Sequence, residues 1–328
     1  MKKEELNIRA WELLDIMSDG KFHSGEKLAQ KLQISRSSIF NELKRIGNYG
    51  VSVQRIRGRG YRLTRPWKRL SSEEVINQLA EYAQEFEIAI LSEAESSNSM
   101  LLQRAKLGAP SGSVLAVELQ TAGRGRYGRK WISGLGDNLT FSLLWRFKCG
   151  LNDLSGLSLA VGVAIVRAIR KLNVKDIQLK WPNDILTKQG KLGGVLIEAQ
   201  GDILGPSVVV IGIGLNYIMT ENVMQKAGQP VCALDEICMD LPTRNQLFSA
   251  LLYEMNIVLK KFAEEGFANI RREWEMYNFF QNQVIQLSLP DGTKIAGEVR
   301  GVGEKGELCL DMGHETKLFS SGEVGVVI

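Results

Sequence analysis

One run of nine residues, Gly123-Arg124-Gly125-Arg126-Tyr127-Gly128-Arg129-Lys130-Trp131, constrains this chain more than any other stretch. Its three glycines let backbone N–H groups approach an anion, and Arg124, Arg126, Arg129 and Lys130 bring four positive charges into the same short segment. It follows an apolar run at 113–119 that reads as a strand, so it is a loop at a strand end. The first six residues match G-x-G-x-x-G, the fingerprint of a dinucleotide fold. That fold needs a helix to begin at the last glycine, and residues 129–138 carry no helical pattern. No G-x-x-x-x-G-K-[ST] phosphate loop is present either. The segment therefore reads as a clamp for phosphate and carboxylate, the alternative being a mobile surface loop.

Three other clusters favour the clamp. Lys180-Trp181-Pro182-Asn183-Asp184 ends a predicted strand, Lys191-Leu192-Gly193-Gly194 opens another, and Gly212-Ile213-Gly214-Leu215-Asn216 closes a third. Upstream, Glu95-Ser96-Ser97-Asn98-Ser99 starts a helix with hydroxyl and amide groups suited to a neutral polar ligand head, and Gln120 adds one more amide. The surrounding pattern predicts strands near 87–92, 113–119, 138–147, 177–181, 192–200 and 207–215. Helices are predicted near 72–82, 97–107, 153–172 and 243–264, which together make an α+β or mixed α/β body.

The amino-terminal end is different. Helical stripes at 5–18, 25–32 and 36–48, with Ser24 and Ser35 as N-caps, lead into alternating residues around the turn Arg57-Gly58-Arg59-Gly60. Helix, tight turn, helix and basic hairpin make a winged helix-turn-helix, whose second helix enters the major groove of DNA. Ser35, Arg36, Ser37, Ser38, Asn41, Lys44 and Arg45 are the candidate contacts on that helix, and Arg55, Arg57 and Arg59 those on the wing. Residues 1–66 carry 14 Lys/Arg against 7 Asp/Glu, a net of +7 in a chain whose total is +4, so the remainder is slightly acidic. That asymmetry fits an electrostatic footprint on a polyanion better than a protein-interaction domain with a solvated basic face. His23 is given no role.

A break at Pro66-Trp67-Lys68-Arg69 marks a linker near 64–72, and from Gln283 short β segments with glycine turns suggest a small barrel. The expected domains are 1–66, 72–275 and 283–328. Four scattered cysteines and two histidines give neither a disulfide framework nor a zinc site, so no metal site is expected. The charged start and the absence of any long apolar run read as a soluble, cytoplasmic chain with no membrane partner.

Taken in order, Ser96-Ser97-Asn98, Gln120-Thr121-Ala122 running into GRGRYGRKW, KWPND, KLGG and GIGLN closely resemble the biotin–protein ligases. With the winged helix-turn-helix before and a small β domain after, the resemblance covers essentially the whole chain. It points to the bifunctional bacterial members, which attach biotin and repress biotin genes. It implies a class II synthetase-like catalytic domain of mixed α/β type and a C-terminal SH3-like small β-barrel. It also implies a two-step reaction in which biotin and ATP give biotinyl-5′-AMP, and a lysine of the biotin carboxyl carrier protein, a subunit of acetyl-CoA carboxylase, then takes the biotin.

By the same resemblance, Ser96, Ser97, Asn98 and Gln120 hold the biotin head, and Arg124, Gly125 and Arg126 fold over its carboxylate and the phosphate. Lys191 approaches both anions; Lys191, Arg124 and Arg126 are the catalytic candidates. Arg129, Trp131, Asn183, Asp184 and Asn216 are assigned to ATP and the adenylate, with Asn183 and Asp184 either near Mg²⁺ or shaping the pocket floor. No prosthetic group is expected, ATP and Mg²⁺ being co-substrates. Biotinyl-5′-AMP is the expected corepressor, and the liganded form is expected to be a homodimer on operator DNA of biotin genes. The stretch after Asn216 departs from the family: no tryptophan follows to stack on the adenine, so the residue covering it is left open. A lipoate ligase and a repressor without ligase activity are the rival readings. The arginine pattern opposes the first and the intact Lys191 the second.

Overall fold

The computed structural model describes residues 6–65, 67–220, 224–225 and 227–326. Residues 1–5, 66 and 327–328 of the expected domains, and residues 221–223 and 226 of the stretch expected near the adenine, lie outside the described residues.

Three helices open the chain: α1 (Ile8–Met17), α2 (Gly25–Leu32) and α3 (Arg36–Gly47). Each starts where a short polar side chain satisfies an otherwise orphaned N–H: Asn7 for Ala10, Ser24 for Lys27 and Ser35 for Ser38. Gln33 adopts a left-handed conformation (φ 53°) and ends α2, giving the tight turn before α3. Strands β1 (Val53–Ile56) and β2 (Gly60–Leu63) pair antiparallel as the wing, and Tyr61 bridges back to His23. Leu13, Leu14, Met17, Leu28, Ile39 and Ile46 are sealed inside, and the cluster runs on into Trp67, Leu119 and Leu135.

The body is a seven-stranded mixed sheet in the order β3-β4-β5-β9-β8-β7-β6. Its strands are β3 (Glu87–Ala94), β4 (Ser113–Gln120), β5 (Asn138–Phe147), β6 (Gln178–Lys180), β7 (Asp184–Leu186), β8 (Lys191–Gly201) and β9 (Ser207–Asn216). Only β3 and β4 run parallel. Because strand side chains alternate, one face of β5 and β9 presents Leu139, Phe141, Leu143, Trp145, Val209, Ile211, Ile213 and Leu215 to the main core. Helices α6 (Leu157–Lys171) and α7 (Arg244–Glu265) supply its other wall, α4 (Ser72–Leu79) packs on α7, and α5 (Ser97–Lys106) lies against β4, β5 and β9. The opposite face of the same strands offers Thr140, Ser142, Gly212, Gly214 and Asn216.

Three expectations need adjustment. The helix predicted over 153–172 begins at Leu157, since Gly156 sits at φ 81° against the Phe267 ring and a short 3₁₀ turn (Leu151–Leu154) precedes it. Helix α8 (Ala268–Tyr277) was not predicted: it buries only Ile270 and Trp274 among charged neighbours, too few for a stripe. Strand β7, three residues long, is too short to show a period.

The C-terminal strands β10 (Val284–Ser288), β11 (Lys294–Val302), β12 (Leu308–Asp311), β13 (Thr316–Phe319) and β14 (Glu323–Val326) form an antiparallel sheet in the order β13-β12-β11-β10-β14. Its edge strands β13 and β14 do not pair with each other among the described residues.

The segment joining the helix-turn-helix to the sheet is held by buried charge. Glu118 on β4 accepts the Leu70 N–H (2.6 Å) and pairs with Arg244 at the start of α7 (2.6 Å); Arg244 also donates to the Lys68 carbonyl (2.7 Å). Asn245 beside it donates to the Arg69 carbonyl (3.2 Å) and accepts from the Ser71 N–H (3.0 Å). Glu118 and Arg244 are 2% and 5% exposed, so removing one partner strands a charge in the core. Arg244→Met is expected to cost about 3–5 kcal/mol in urea unfolding, and Arg244→Met with Glu118→Gln clearly less.

Candidate ligand-binding site

On the polar face of the sheet lies a cavity of about 310 Å³, lined by all thirteen residues assigned above to ligand: Ser96, Ser97, Asn98, Gln120, Arg124, Gly125, Arg126, Arg129, Trp131, Asn183, Asp184, Lys191 and Asn216. It exists because of glycine. Gly194 on β8 pairs with Gly214 on β9, and Gly212 pairs with Ser142 on β5. A Cβ on Gly214 would come within 2.5 Å of the Trp131 ring, and one on Gly212 within 2.3 Å of Asn98 Oδ1. Trp131 and Asn98 therefore occupy space that the missing side chains vacate.

The Gly/Arg segment is an arch closed on itself. Gly125 N–H donates to the Arg129 carbonyl (2.7 Å), Trp131 N–H to Gly123 (2.9 Å), and Arg124 bridges to Lys130. Tyr127 (φ 54°) and Gly128 (φ 73°) turn its tip through left-handed conformations, which a helix start cannot contain; this is the physical reason the G-x-G-x-x-G match misleads. Arg124 rests on both oxygens of Glu198 (2.9 and 2.6 Å), Arg126 donates to Asn183 Oδ1 (3.2 Å) and Arg129 pairs with Glu323 from the C-terminal sheet.

Opposite the arch, Lys191 Nζ donates to Asp184 Oδ1 (2.6 Å), both side chains being less than a fifth exposed. Asn183 closes the KWPND turn on β8 through its side-chain bond to the Val195 carbonyl (2.8 Å) and its own carbonyl, which accepts the Val195 N–H (2.9 Å). Asn216 donates to the Lys191 and Cys232 carbonyls (3.2 and 3.0 Å) and accepts from Asn138 (3.1 Å). Asn216 thus spends both ends of its amide on the pocket wall, and Asn183 its nitrogen, its Oδ1 being left to Arg126 of the arch. At the other end, Gln120 Oε1 accepts the Ser97 N–H (2.8 Å), while Ser96 caps α5 through the Ser99 N–H (3.4 Å). The indole N–H of Trp131 is buried with no protein partner.

Four lining or supporting groups escaped the sequence reading: Lys180, Glu198, Glu323 and Ser142. Burial pushes the Lys180 ammonium below its ordinary range, and Lys191 and Arg129 repel it further, against the pull of Asp184 and Glu323. Lys180 stands inside KWPND, so that signal was available; Glu323 comes from a remote part of the chain and gave none. Ala227, Gln229 and Val231 line the pocket beyond Asn216, and none is aromatic. Tyr217, the aromatic nearest in sequence, turns its hydroxyl to the Pro242 carbonyl (2.9 Å).

A second surface belongs to the helix-turn-helix. Arg36, Ser37, Asn41, Lys44, Arg55, Arg57 and Arg59 are exposed together on α3 and the wing. Ser35 and Ser38 form the cap of α3, with their hydroxyls 2.8 Å apart. Arg45 is drawn back, half-buried against Glu42 (3.3 Å).

Residues 91–216 match the biotin/lipoate A/B protein ligase family, and residues 12–62 match an HTH domain. The bifunctional ligase/repressor BirA of Escherichia coli is 34% identical over 316 residues, covering 96% of each chain. The biotin–[acetyl-CoA-carboxylase] ligase of Mycobacterium tuberculosis is 30% identical over 73% of this chain and 88% of its own length. The chain belongs to the biotin–protein ligase family. The solved biotin protein ligase of Aquifex aeolicus, in complex with biotin and ATP, is 29% identical and superposes with a TM-score of 0.62 over 73% of this chain and 97% of its own. The thirteen pocket residues named above all lie within the matched stretch 91–216, and the exposed basic residues of α3 and the wing within 12–62.

The stretch after Asn216 is seated by Asp137. Its carbonyl accepts the Tyr217 and Ile218 N–H groups (2.8 and 3.0 Å), its carboxylate accepts the Thr220 hydroxyl (3.0 Å), and Arg65 from the end of the wing donates to the Met219 carbonyl (3.0 Å). Burial raises the Asp137 carboxyl to about 6, only partly offset by Thr220, Arg65 and Arg244. A raised folded-state value means stability that is full below the unfolded value near 4 and lost as pH rises through 6. Asp137→Asn, which keeps an acceptor for Thr220, is expected to stabilise the protein at pH 8 by up to about 3 kcal/mol and hardly at pH 4, as read by urea unfolding at the two pH values.

Proposed function

We propose that the chain is an ATP-dependent, AMP-forming biotin–protein ligase and a DNA-binding repressor of biotin synthesis genes. The observation that carries the ligase reading is one cavity with a neutral hydrogen-bonding end at Ser96, Ser97 and Gln120 and a cationic end at Arg124, Arg126 and Lys191. Biotin has the matching polarity, a cyclic urea head and a carboxylate tail. No protein nucleophile is required. The biotin carboxylate attacks the α-phosphorus of ATP and pyrophosphate leaves; the amine of a carrier lysine then attacks the acyl carbon and AMP leaves. The protein brings two anions together, and at ~4 Å each compensated charge is worth about 4 kcal/mol at intermediate dielectric. Lys191 exchanges Asp184 for the carboxylate and α-phosphate, and Arg124 and Arg126 close the arch over them. Arg129, Trp131, Asn183, Asp184 and Asn216 border the adenylate end.

Mg²⁺ enters with ATP. Mg²⁺ bound to phosphate oxygens would meet Asp184, the carboxylate of the KWPND turn, which lines the cavity. The acceptor is the biotin carboxyl carrier protein of acetyl-CoA carboxylase. The proposed domains are 1–66, 72–275 and 283–328. The middle one is of the class II synthetase-like type, and the last is an SH3-like small barrel, a reading supported by its short antiparallel strands and the bulge between Val299 and Gly301. The proposed site of action is cytoplasmic; no helix among the described residues is long and apolar enough to cross a membrane.

With biotin, ATP and Mg²⁺ the chain is expected to biotinylate a carrier domain, and Lys191→Ala to lower kcat by roughly 10²-fold or more. Labelling with lipoate alone, or none, would sink the ligase reading.

The repressor reading rests on the open basic face of α3 and the wing. Biotinyl-5′-AMP is the proposed corepressor, favouring a homodimer that sets two such faces on a palindromic operator. DNA binding by the full chain is expected to weaken steeply with salt, to tighten with biotin only when ATP is present, and to fall on Arg57→Ala. Binding indifferent to salt would refute phosphate contact.

A further inference from the structure

Glu198 on β8 touches both ends of the cavity. Its Oε2 accepts from Asn98 Nδ2 (2.9 Å) and from Arg124 Nη2 (2.6 Å), and its Oε1 accepts from the same guanidinium (2.9 Å). Asn98 lies flat across the sheet in the space over Gly212, with Glu198 and the Leu196 carbonyl (3.3 Å) on one side of its amide and Ser142 on the other. Ser142, fully buried, is 2.7 Å from Ser97 Oγ. A continuous line of polar groups thus runs from the arginine arch, beneath the pocket floor, to the hydroxyl assigned to the ligand head.

We infer that Glu198 is a positioning residue that fixes the direction of this hydrogen-bond line, so that Ser97 meets the ligand head as an acceptor, and that it tethers Arg124 until substrate arrives. The inference rests on the ligase reading above. An amide can face either way, but a carboxylate and a carbonyl only accept, so Asn98 must turn Nδ2 toward Glu198 and Leu196. Its Oδ1 then faces Ser142, whose single hydrogen is spent on it. The 2.7 Å contact between the two serines is left to the Ser97 hydrogen, and the remaining Ser97 lone pairs accept from the ligand. Gln120 Oε1, which accepts the Ser97 N–H (2.8 Å), also lies 3.2 Å from Ser97 Oγ, so the Ser97 hydrogen has two acceptors inside the protein, of which Ser142 is the nearer, and is spent on them and not on the ligand. A head with N–H donors, such as a cyclic urea, is selected; an acceptor-free, donor-free ring is not.

The tether has its own logic. The Arg124 side chain is 44% exposed, and Glu198 is the carboxylate that holds its guanidinium at the pocket mouth. A substrate carboxylate can take over this partner without Arg124 leaving the arch.

The test uses the full chain in steady-state, biotin-dependent pyrophosphate release, comparing wild type with Glu198→Gln and Ser142→Ala. Ser142→Ala cuts the line at its middle, leaving Arg124 and its tether untouched. Both variants are expected to raise KM for biotin roughly tenfold, the worth of one hydrogen bond, with KM for ATP within about twofold of wild type. Either variant leaving KM for biotin within about twofold of wild type, or raising both KM values alike, overturns the inference. A wild-type chain that releases no pyrophosphate with biotin refutes the ligase reading itself, a different outcome from an active wild type with unaffected variants.

Discussion

The antiparallel pairing of β5, β9 and β8 is the constraint on which everything else depends. Since successive side chains point to opposite faces, one set of residues cannot serve both the core and the pocket. Leu139, Phe141 and Leu143 and their partners Ile211, Ile213 and Leu215 go down into the core under α6 and α7, and the alternate positions are freed for Thr140, Ser142, Gly212 and Gly214. The core face supplies the stability that lets the other face stay hollow. Nothing larger than glycine fits at Gly212 or Gly214, because Asn98 and Trp131 already fill that volume.

Charge is handled in the same two-sided way. In the pocket three of the cations have a carboxylate on hand: Lys191 has Asp184, Arg124 has Glu198 and Arg129 has Glu323. These pairs are partly solvated, so exchanging a protein carboxylate for a substrate anion costs little net charge compensation. The Glu118–Arg244 pair is enclosed instead, with its remaining hydrogen bonds spent on the chain at 68–70. That pair is a fastening and the pocket pairs are exchangeable contacts; the difference lies in water access, not in residue type.

The helix-turn-helix is not a loosely hung module. Its apolar cluster includes Leu119 and Leu135 of the sheet domain, Trp67 packs where a Cβ on Gly136 would fall, and Arg65 reaches the Met219 carbonyl at the start of the stretch that goes on to line the cavity. Asp137, Thr220 and Arg65 thus tie that stretch to the base of the wing. The C-terminal sheet reaches the same cavity from the other side, through Glu323 and the Trp181 indole, which donates to the Gly306 carbonyl (2.9 Å).

Sequence alone determined the helix-turn-helix and the order of most strands, because caps and periodicity are local properties that leave a mark within a few residues; the thirteen pocket residues came through the family resemblance. It also carried the family, since five separate motifs appear in a fixed order. It did not reveal that the arch closes on itself, that Asn183 and Asn216 brace the wall through their side-chain nitrogens, or that α8 exists. Nor could it show that Glu198, Ser142 and Glu323 belong to the site. Those residues lie 74 positions from Arg124, 44 from Asn98 and 194 from Arg129, respectively, and only strand register and the meeting of two sheets bring them together. A hydrogen bond acts over about 3 Å whatever the separation along the chain, so its partners were the tertiary structure's to decide.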